Sequence, residues 1–362
     1  MFSPLRHAGS ILWKRRPVHL TFFLTRKCNA HCPFCFYLKS PDHPQSAAPE
    51  LTLAEIERIS RSLGRLLWLA FSGGEVYLRK DLVEISKVFY DRNRPAVMLY
   101  PSNGMLPDLI RDQTDRIAAY CRDSIVVVKL SLDGVGTDHD TLRNTRGNFD
   151  KTMQTYARLQ GLLDVYPNFE LGFNTVLTAQ NQDKIEEIVD FVGGLDKRIT
   201  HTISMVRGNL LDNGYKQVDP ENYRRAAEIL ATRLRERTSG IHRFRGARLK
   251  AAQDVLQRRF IHQTLTGQDR SLPCYAGKLN LVLTESGEVY PCEILPQSLG
   301  NVRDHGYDIM RVTRAEKAGD ILRSISVSNP HCRTCTHECN YITNILFNPA
   351  IYPALMKEYL RQ

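Results

Sequence analysis

Three cysteines crowded into one short loop constrain this chain more than any other feature. Cys28, Cys32 and Cys35 stand in the run Thr25-Arg26-Lys27-Cys28-Asn29-Ala30-His31-Cys32-Pro33-Phe34-Cys35-Phe36-Tyr37, directly after the apolar, strand-like stretch His19 to Leu24. Three thiolates on so short a C-x3-C-x2-C loop can hold three corners of a [4Fe–4S] cube and leave the fourth iron open. An open iron can bind a small molecule and pass it an electron. The competing reading is a zinc knuckle, which wants a fourth Cys or His from a second ligand pair. His31 sits inside the loop, where its reach for that role is poor.

The rest of the composition permits a full enzyme. A chain of 362 residues with 42% hydrophobic residues can bury a large core and carry one large domain with an appendage. Its nine cysteines do not describe a disulfide scaffold, because such scaffolds are short and exported. The apolar run Val18 to Leu24 follows Lys14-Arg15-Arg16 as a signal segment would, but it is short and has no small-residue cleavage site. No stretch approaches the roughly 18 apolar residues of a membrane span. The expectation is a cytoplasmic protein whose thiols stay reduced and available to metal.

From residue 18 to about 206, strand-like and helix-like patterns alternate. Runs rich in β-branched or aromatic residues occur at His19–Leu24, Leu66–Phe71, Ala96–Tyr100, Ser124–Leu132, Phe169–Leu177 and Ile199–Met205. Amphipathic stretches lie between them; Thr52 with Glu55 fits a capping box before Ile56, Ile59 and Leu63. Six strand–helix units predict an α/β fold with a parallel sheet, too few for a closed eightfold barrel. The expected fold is a partial (β/α)6 barrel with a small C-terminal α+β module. The boundaries read 1–17 for an N-terminal extension, 18–215 for the barrel and 216–272 for a basic helical connector. Residues 273–345 follow as the module and 346–362 as a tail.

Further motifs fall at the ends of the predicted strands, where such folds place their chemistry. Phe71-Ser72-Gly73-Gly74-Glu75 follows the second strand, thirty-eight residues from Cys35 to Gly73. Two glycines permit close backbone approach to a ligand, and Glu75 offers a carboxylate to an ammonium group. Ser102-Asn103-Gly104 follows the third strand and reads equally as a tight turn. Lys129-Leu130-Ser131-Leu132-Asp133-Gly134 ends the fourth, with His139-Asp140-x-x-Arg143 beyond. The cysteine spacing, with its aromatic residue before the last cysteine, and the Gly-Gly-Glu motif resemble the radical S-adenosylmethionine (SAM) superfamily. The resemblance implies that Gly73, Gly74 and Glu75 grip the methionyl ammonium of SAM. It also implies that Ser131 reaches the ribose and Arg143 the carboxylate, and that Asn174 and the backbone near Leu177 cradle adenine. Ser102 and Asn103 are further candidates for the pocket, and Asp133 for capping its loop. In that family SAM chelates the open iron, an electron cleaves its sulfonium bond, and a 5′-deoxyadenosyl radical takes hydrogen from the substrate.

Between Asn222 and His262, eleven Arg/Lys face three Asp/Glu, a local charge of +8 out of the chain's +10. Loosely helical spacing there suggests one or two surface helices, either simply solvated or serving an acidic peptide or phosphorylated molecule. No interleaved aromatic platform supports nucleic-acid binding. Beyond, Lys278–Leu283 and Glu288–Tyr290 read as a hairpin that ends at Pro291-Cys292-Glu293. Leu299-Gly300-Asn301-Val302 and Cys332-x2-Cys335-x3-Cys339 follow, with Cys274 opening the segment. This pattern is similar to the SPASM/twitch extension of radical SAM enzymes, which carries auxiliary [4Fe–4S] clusters. A full SPASM module has seven cysteines; these five, Cys274, Cys292, Cys332, Cys335 and Cys339, suit one auxiliary cluster with one thiol to spare. Zinc is the competing occupant of a four-cysteine site. Cys121 stands alone and reads as a core thiol.

The sequence thus points to a radical SAM oxidoreductase that uses two [4Fe–4S] clusters, SAM and a reductant such as flavodoxin or ferredoxin. One alternative is a maturase that modifies a ribosomally made peptide. The 17 residues before the first strand leave no room for a leader-binding domain, which tilts the expectation towards a small-molecule substrate. Another class is an iron–sulfur scaffold or electron-transfer protein without SAM chemistry. Glu293, beside Cys292, is the candidate catalytic base for the substrate radical.

Overall fold

The computed structural model describes residues 1–42, 48–325 and 329–362. Six strands run parallel and side by side in chain order: β1 His19–Thr25, β2 Trp68–Gly73, β3 Val97–Ser102, β4 Ile125–Ser131, β5 Phe169–Leu177 and β6 Thr200–Met205. Each neighbouring pair is joined through at least one helix, such as Leu53–Ser62 between β1 and β2 and Leu82–Asn93 between β2 and β3. The helix Leu53–Ser62 starts at the expected capping box: Thr52 Oγ1 accepts the Glu55 N–H and Glu55 Oε2 accepts the Thr52 N–H at 2.8 Å.

Period-two alternation sorts the strand residues into two environments. Leu20, Phe22, Leu24, Leu69, Met98, Tyr100, Val126, Val128, Leu130, Leu171 and Phe173 are buried in the main core with residues of the covering helices. Thr21, Ala70, Leu99, Val127, Ser131, Asn174 and Ser204, of the opposite parity, line a cavity of about 380 Å³. The concave face is therefore a site and the convex face a core.

The C-terminal hairpin extends this same sheet. β7 Asn280–Leu283 pairs in parallel with β1, His19 opposite Asn280 and Phe22 opposite Leu283. β8 Glu288–Tyr290 and β9 Gly300–Asn301 add antiparallel, giving the order β6-β5-β4-β3-β2-β1-β7-β8-β9. Gly287 turns the hairpin at φ +92°, and a Cβ there would stand 2.8 Å from Asn301 Oδ1. Arg303, just after β9, bonds Glu55 at 2.9 Å and fastens the C-terminal region to the first helix.

The basic connector forms two helices, Pro220–Glu236 and Ala247–Leu265, but they are not simply surface helices. Tyr223, Ala226, Leu230, Ala252, Leu256 and Ile261 are buried against Leu177, Ile203, Met205, Tyr341 and Ile345, so the pair covers the β6 end of the sheet. Their cations meet neighbouring acids: Arg233 pairs with Asp190, Arg225 with Glu186, and Arg235 and Arg259 both with Glu358. The +8 stretch is thus partly neutralised by groups distant in sequence. Cys121 is fully buried in the core. Among the described residues no helix is long and apolar enough to cross a membrane.

Candidate active site

The cysteine loop leaves the carboxyl end of β1, and the Gly-Gly-Glu segment leaves the carboxyl end of β2, its register neighbour. The two are locked together through their backbones. The Gly74 amide donates to the Thr25 carbonyl and the Glu75 amide to the Lys27 carbonyl, both at 2.8 Å. A Cβ on Gly73 would stand 2.5 Å from Thr25 O, and one on Gly74 would stand 2.1 Å from Lys27 O. The close approach that requires these glycines is therefore to the cysteine loop itself.

Cys28, Cys32 and Cys35 are free and all line the cavity. Burial pushes the Cys28 thiol up and the Cys32 thiol up to about 11, with Arg143 opposing the shift in both. Three converging thiols with no fourth thiol on the loop fit a cluster with one open iron, and bound metal displaces such thiol protons outright. Asn103 steadies the loop: its Nδ2 donates to Asn29 Oδ1 at 2.7 Å and lies 3.8 Å from Cys28 Sγ.

The other expected pocket residues gather around this loop. Glu75 is buried; its Oε2 accepts the Asn103 N–H at 2.7 Å and its Oε1 the Tyr77 N–H at 3.3 Å. Burial raises its carboxyl to about 7 against those hydrogen bonds. Arg143 donates to Asp133 Oδ2 at 2.7 Å, while Asp133 Oδ1 accepts the Val176 N–H at 2.7 Å. Burial works against the Arg143 charge, but Cys32 and Asp133 hold it firmly protonated. Asp133 thus positions the arginine as well as bracing its loop. Ser102, Ser131 and Asn174 all line the cavity, Asn174 Oδ1 accepting the Ser204 hydroxyl at 2.9 Å. Leu177, expected here through its backbone, turns its side chain away from them. Its side chain is buried with Ile203 and Met205, and its carbonyl accepts the Val206 N–H at 3.0 Å. Alternation explains the displacement: Asn174 and Val176 line the cavity, whereas Leu177 has the opposite parity.

Tertiary structure divides the five C-terminal cysteines. Cys292 and Cys332 are buried in one small cluster with Ala276 and Leu295, and Cys274 packs on it. Cys335 is buried and within electrostatic reach of Cys274 and Cys292, with Arg270 near Cys274 and Cys335. Two thiols from the hairpin region and two from a short helical turn make a four-thiol set, the number that a saturated cube takes. Cys339 is elsewhere: it lines the barrel cavity beside Glu293 and Glu338.

Around Cys339 lie residues that sequence patterns did not single out. Arg207, just past the end of β6, donates to Glu293 Oε2 at 2.8 Å and lies 3.7 Å from Glu338. Its position after a barrel strand was the available signal. His337 approaches Glu293 Oε1 at 3.5 Å. Glu293, the candidate base, sits in this environment. Burial alone would raise its carboxyl, but Arg207 and His337 together hold it well below the usual range. As an anion it meets both Arg207 and His337 in the cavity wall.

Residues 22–192 match the Radical SAM superfamily. The chain is 28% identical over 225 residues to the pre-heme d1 synthase of Dinoroseobacter shibae, covering 60% of this chain and 51% of that protein. It is 25% identical over 305 residues to the AdoMet-dependent heme synthase of Methanosarcina barkeri, covering 80% and 81%. With the sporulation killing factor maturation protein SkfB of Bacillus subtilis it shares 23% over 303 residues, covering 83% and 66%. The chain thus spans about half the length of the first relative and about two thirds of the third. Its fold is that of anSMEcpe with bound AdoMet, at TM-score 0.60 and 16% identity over 95% of this chain and 100% of that one. Streptococcus suis SuiB bound to S-adenosylmethionine gives 0.60 and 17% over 91% and 75%. With a thiol trio after the first strand, a glycine pair locked against it and a second cysteine set beyond the barrel, the chain is an enzyme whose residues 22–192 form a radical SAM domain, followed by a cysteine-bearing C-terminal region.

Proposed function

We propose that this enzyme oxidises a small-molecule substrate held in the barrel cavity, with Cys28, Cys32 and Cys35 ligating the SAM-binding cluster. Cys274, Cys292, Cys332 and Cys335 hold the auxiliary [4Fe–4S] cluster in this reading. When bound, SAM and its cluster supply a 5′-deoxyadenosyl radical that removes a hydrogen atom from the substrate. Glu75 takes the ammonium of SAM and Arg143, fixed by Asp133, takes its carboxylate, each through a charge-assisted contact. Ser102, Asn103, Ser131 and Asn174 complete the polar wall on that side. The observation that carries the reading is the shape of the cavity: one wall is the cysteine loop, and another holds Cys339 and Glu293, the latter next in sequence to Cys292 of the four-cysteine set. A substrate between those walls lies within reach of both centres, which suits a two-electron oxidation.

Two relatives are named for heme synthesis, which makes carboxylate-bearing tetrapyrroles the first small molecules to test. A second reading, modification of a ribosomal peptide, is supported by the match to the maturation protein SkfB over 83% of the chain. The anaerobic protein, given SAM and either dithionite or a flavodoxin-type reductant, is expected to release 5′-deoxyadenosine and methionine. A substrate should accelerate that release and appear in the product two hydrogens lighter. Failure of a cluster-loaded preparation to cleave SAM would refute the assignment of the pocket. Acceleration by peptides and not by tetrapyrroles would move the conclusion to the second reading.

A further inference from the structure

We infer that Glu293, His337 and Cys339 form a third inorganic centre, a divalent metal site open to the substrate cavity. One ligand atom from each lies within 4.8 Å of the other two. Glu293 and His337 are buried, and half-buried Cys339 lines the cavity with Glu293. A carboxylate, an imidazole and a thiolate are the donor types of zinc, and three protein donors with one open position are the arrangement of its reactive sites. The inference rests on the four-cysteine reading of the auxiliary site, since that reading releases Cys339.

The surroundings suit a cation. Arg207 occupies only Oε2 of Glu293, while Oε1 faces His337 Nε2 at 3.5 Å. Two buried carboxylates, Glu293 and Glu338, face a single guanidinium, Arg207. Glu338 Oε2 stands 3.9 Å from His337 Nδ1, on the side where a metal-bound imidazole takes a carboxylate partner but beyond hydrogen-bond distance. His337 Nδ1 is buried with no hydrogen-bond partner. So is Nδ1 of His19, a fully buried β1 residue within electrostatic reach of both His337 and Glu293. The open position of the metal would take an oxygen, nitrogen or sulfur donor of the substrate and fix it against the wall opposite the cysteine loop.

The test uses the full chain, purified without oxygen, with both cluster sites filled to about eight irons. After incubation with zinc sulfate and removal of loose metal, about one zinc per chain should remain, with X-ray absorption showing a single sulfur neighbour at about 2.3 Å. Cys339→Ser and His337→Gln should each lose that zinc and keep about eight irons, the iron count and circular dichroism reporting that the fold survives. No retained zinc in the parent overturns the proposal. So does zinc with four sulfur neighbours, or zinc unchanged by Cys339→Ser, because either places the ion in the four-cysteine set. A fall to about four irons in Cys339→Ser would make Cys339 a cluster ligand and also overturn it. A parent chain that never exceeds about four irons would instead refute the auxiliary-cluster reading, and the sulfur count would still decide the zinc site.

Discussion

Replacing Gly74 by alanine adds one methyl group at the tightest backbone contact in the active site. The new Cβ would stand 2.1 Å from the Lys27 carbonyl oxygen and 2.7 Å from its carbon, both main-chain atoms that no rotamer change can move aside. Real contacts essentially never fall below 3.0 Å, so the cysteine loop must retreat by about 0.9 Å or the Gly-Gly segment must tilt away. Either motion strains the bonds from Gly74 to Thr25 and from Glu75 to Lys27. Each such bond contributes about 0.5–1.5 kcal/mol, and overpacking adds about 1–3 kcal/mol, so the total lies at about 2–6 kcal/mol. Cys28 adjoins Lys27, so the displacement falls on the proposed ligand set of the SAM-binding cluster. The anaerobic protein should drop from about eight irons to about four, with the auxiliary cluster retained. Gly161→Ala provides the control: its φ is −60° and a Cβ there meets nothing within 4 Å, so melting temperature and iron content should hold or rise slightly. A Gly74→Ala chain with about eight irons and the parent melting temperature would refute the interlocked-loop argument.

Other consequences follow from the same geometry. Changing Cys28, Cys32 and Cys35 together to alanine should leave about four irons and abolish SAM cleavage; loss of all iron would show that the C-terminal cysteines bind none independently. Because burial lifts Glu75 to about 7, its anionic form dominates only above that value, so SAM binding should weaken as pH falls through 7. At pH 6 only about one carboxyl in eleven is ionised, an affinity about tenfold weaker than at pH 8, and Glu75→Gln should flatten this profile in equilibrium dialysis. Arg143→Met leaves Asp133 buried without its partner and should cost about 3–5 kcal/mol in denaturant unfolding. Restoring apolar balance with Arg143→Met and Asp133→Asn together should recover part of that loss, and full stability in the single variant would argue against a coupled pair.

Much of the fold was legible because its signals are local. Phe169–Leu177 and Glu288–Tyr290 occupy the spans that alternation and turn residues predict, and Thr52 with Glu55 starts its helix as the capping pattern requires. The cysteine loop and Gly-Gly-Glu were recognisable for the same reason, since their spacing within a few residues is what makes them able to act. Placement across the chain was not legible. Alternation could not say which parity of β5 would meet the cavity: the Asn174 side chain lines it, whereas Leu177, expected there through its backbone, turns its side chain to the other face. The basic charge of Asn222 to His262 looked like an exposed face because the acids that answer it, Asp190, Glu186 and Glu358, belong to other elements.

The five C-terminal cysteines show the division most clearly. Their number fixed that four could share one site with one left over, but their spacing left open which. Cys335 and Cys339 are four residues apart, yet one is buried with the hairpin thiols and the other lines the barrel cavity beside Arg207 and Glu293. That separation depends on how β7 pairs with the free edge of β1 and on where the helix Glu338–Leu346 packs against Ala247–Leu265. Sequence spacing determines which groups can meet through the backbone that joins them; which groups do meet across hundreds of residues is decided by edge pairing and side-chain packing, whose energies depend on partners no local pattern contains.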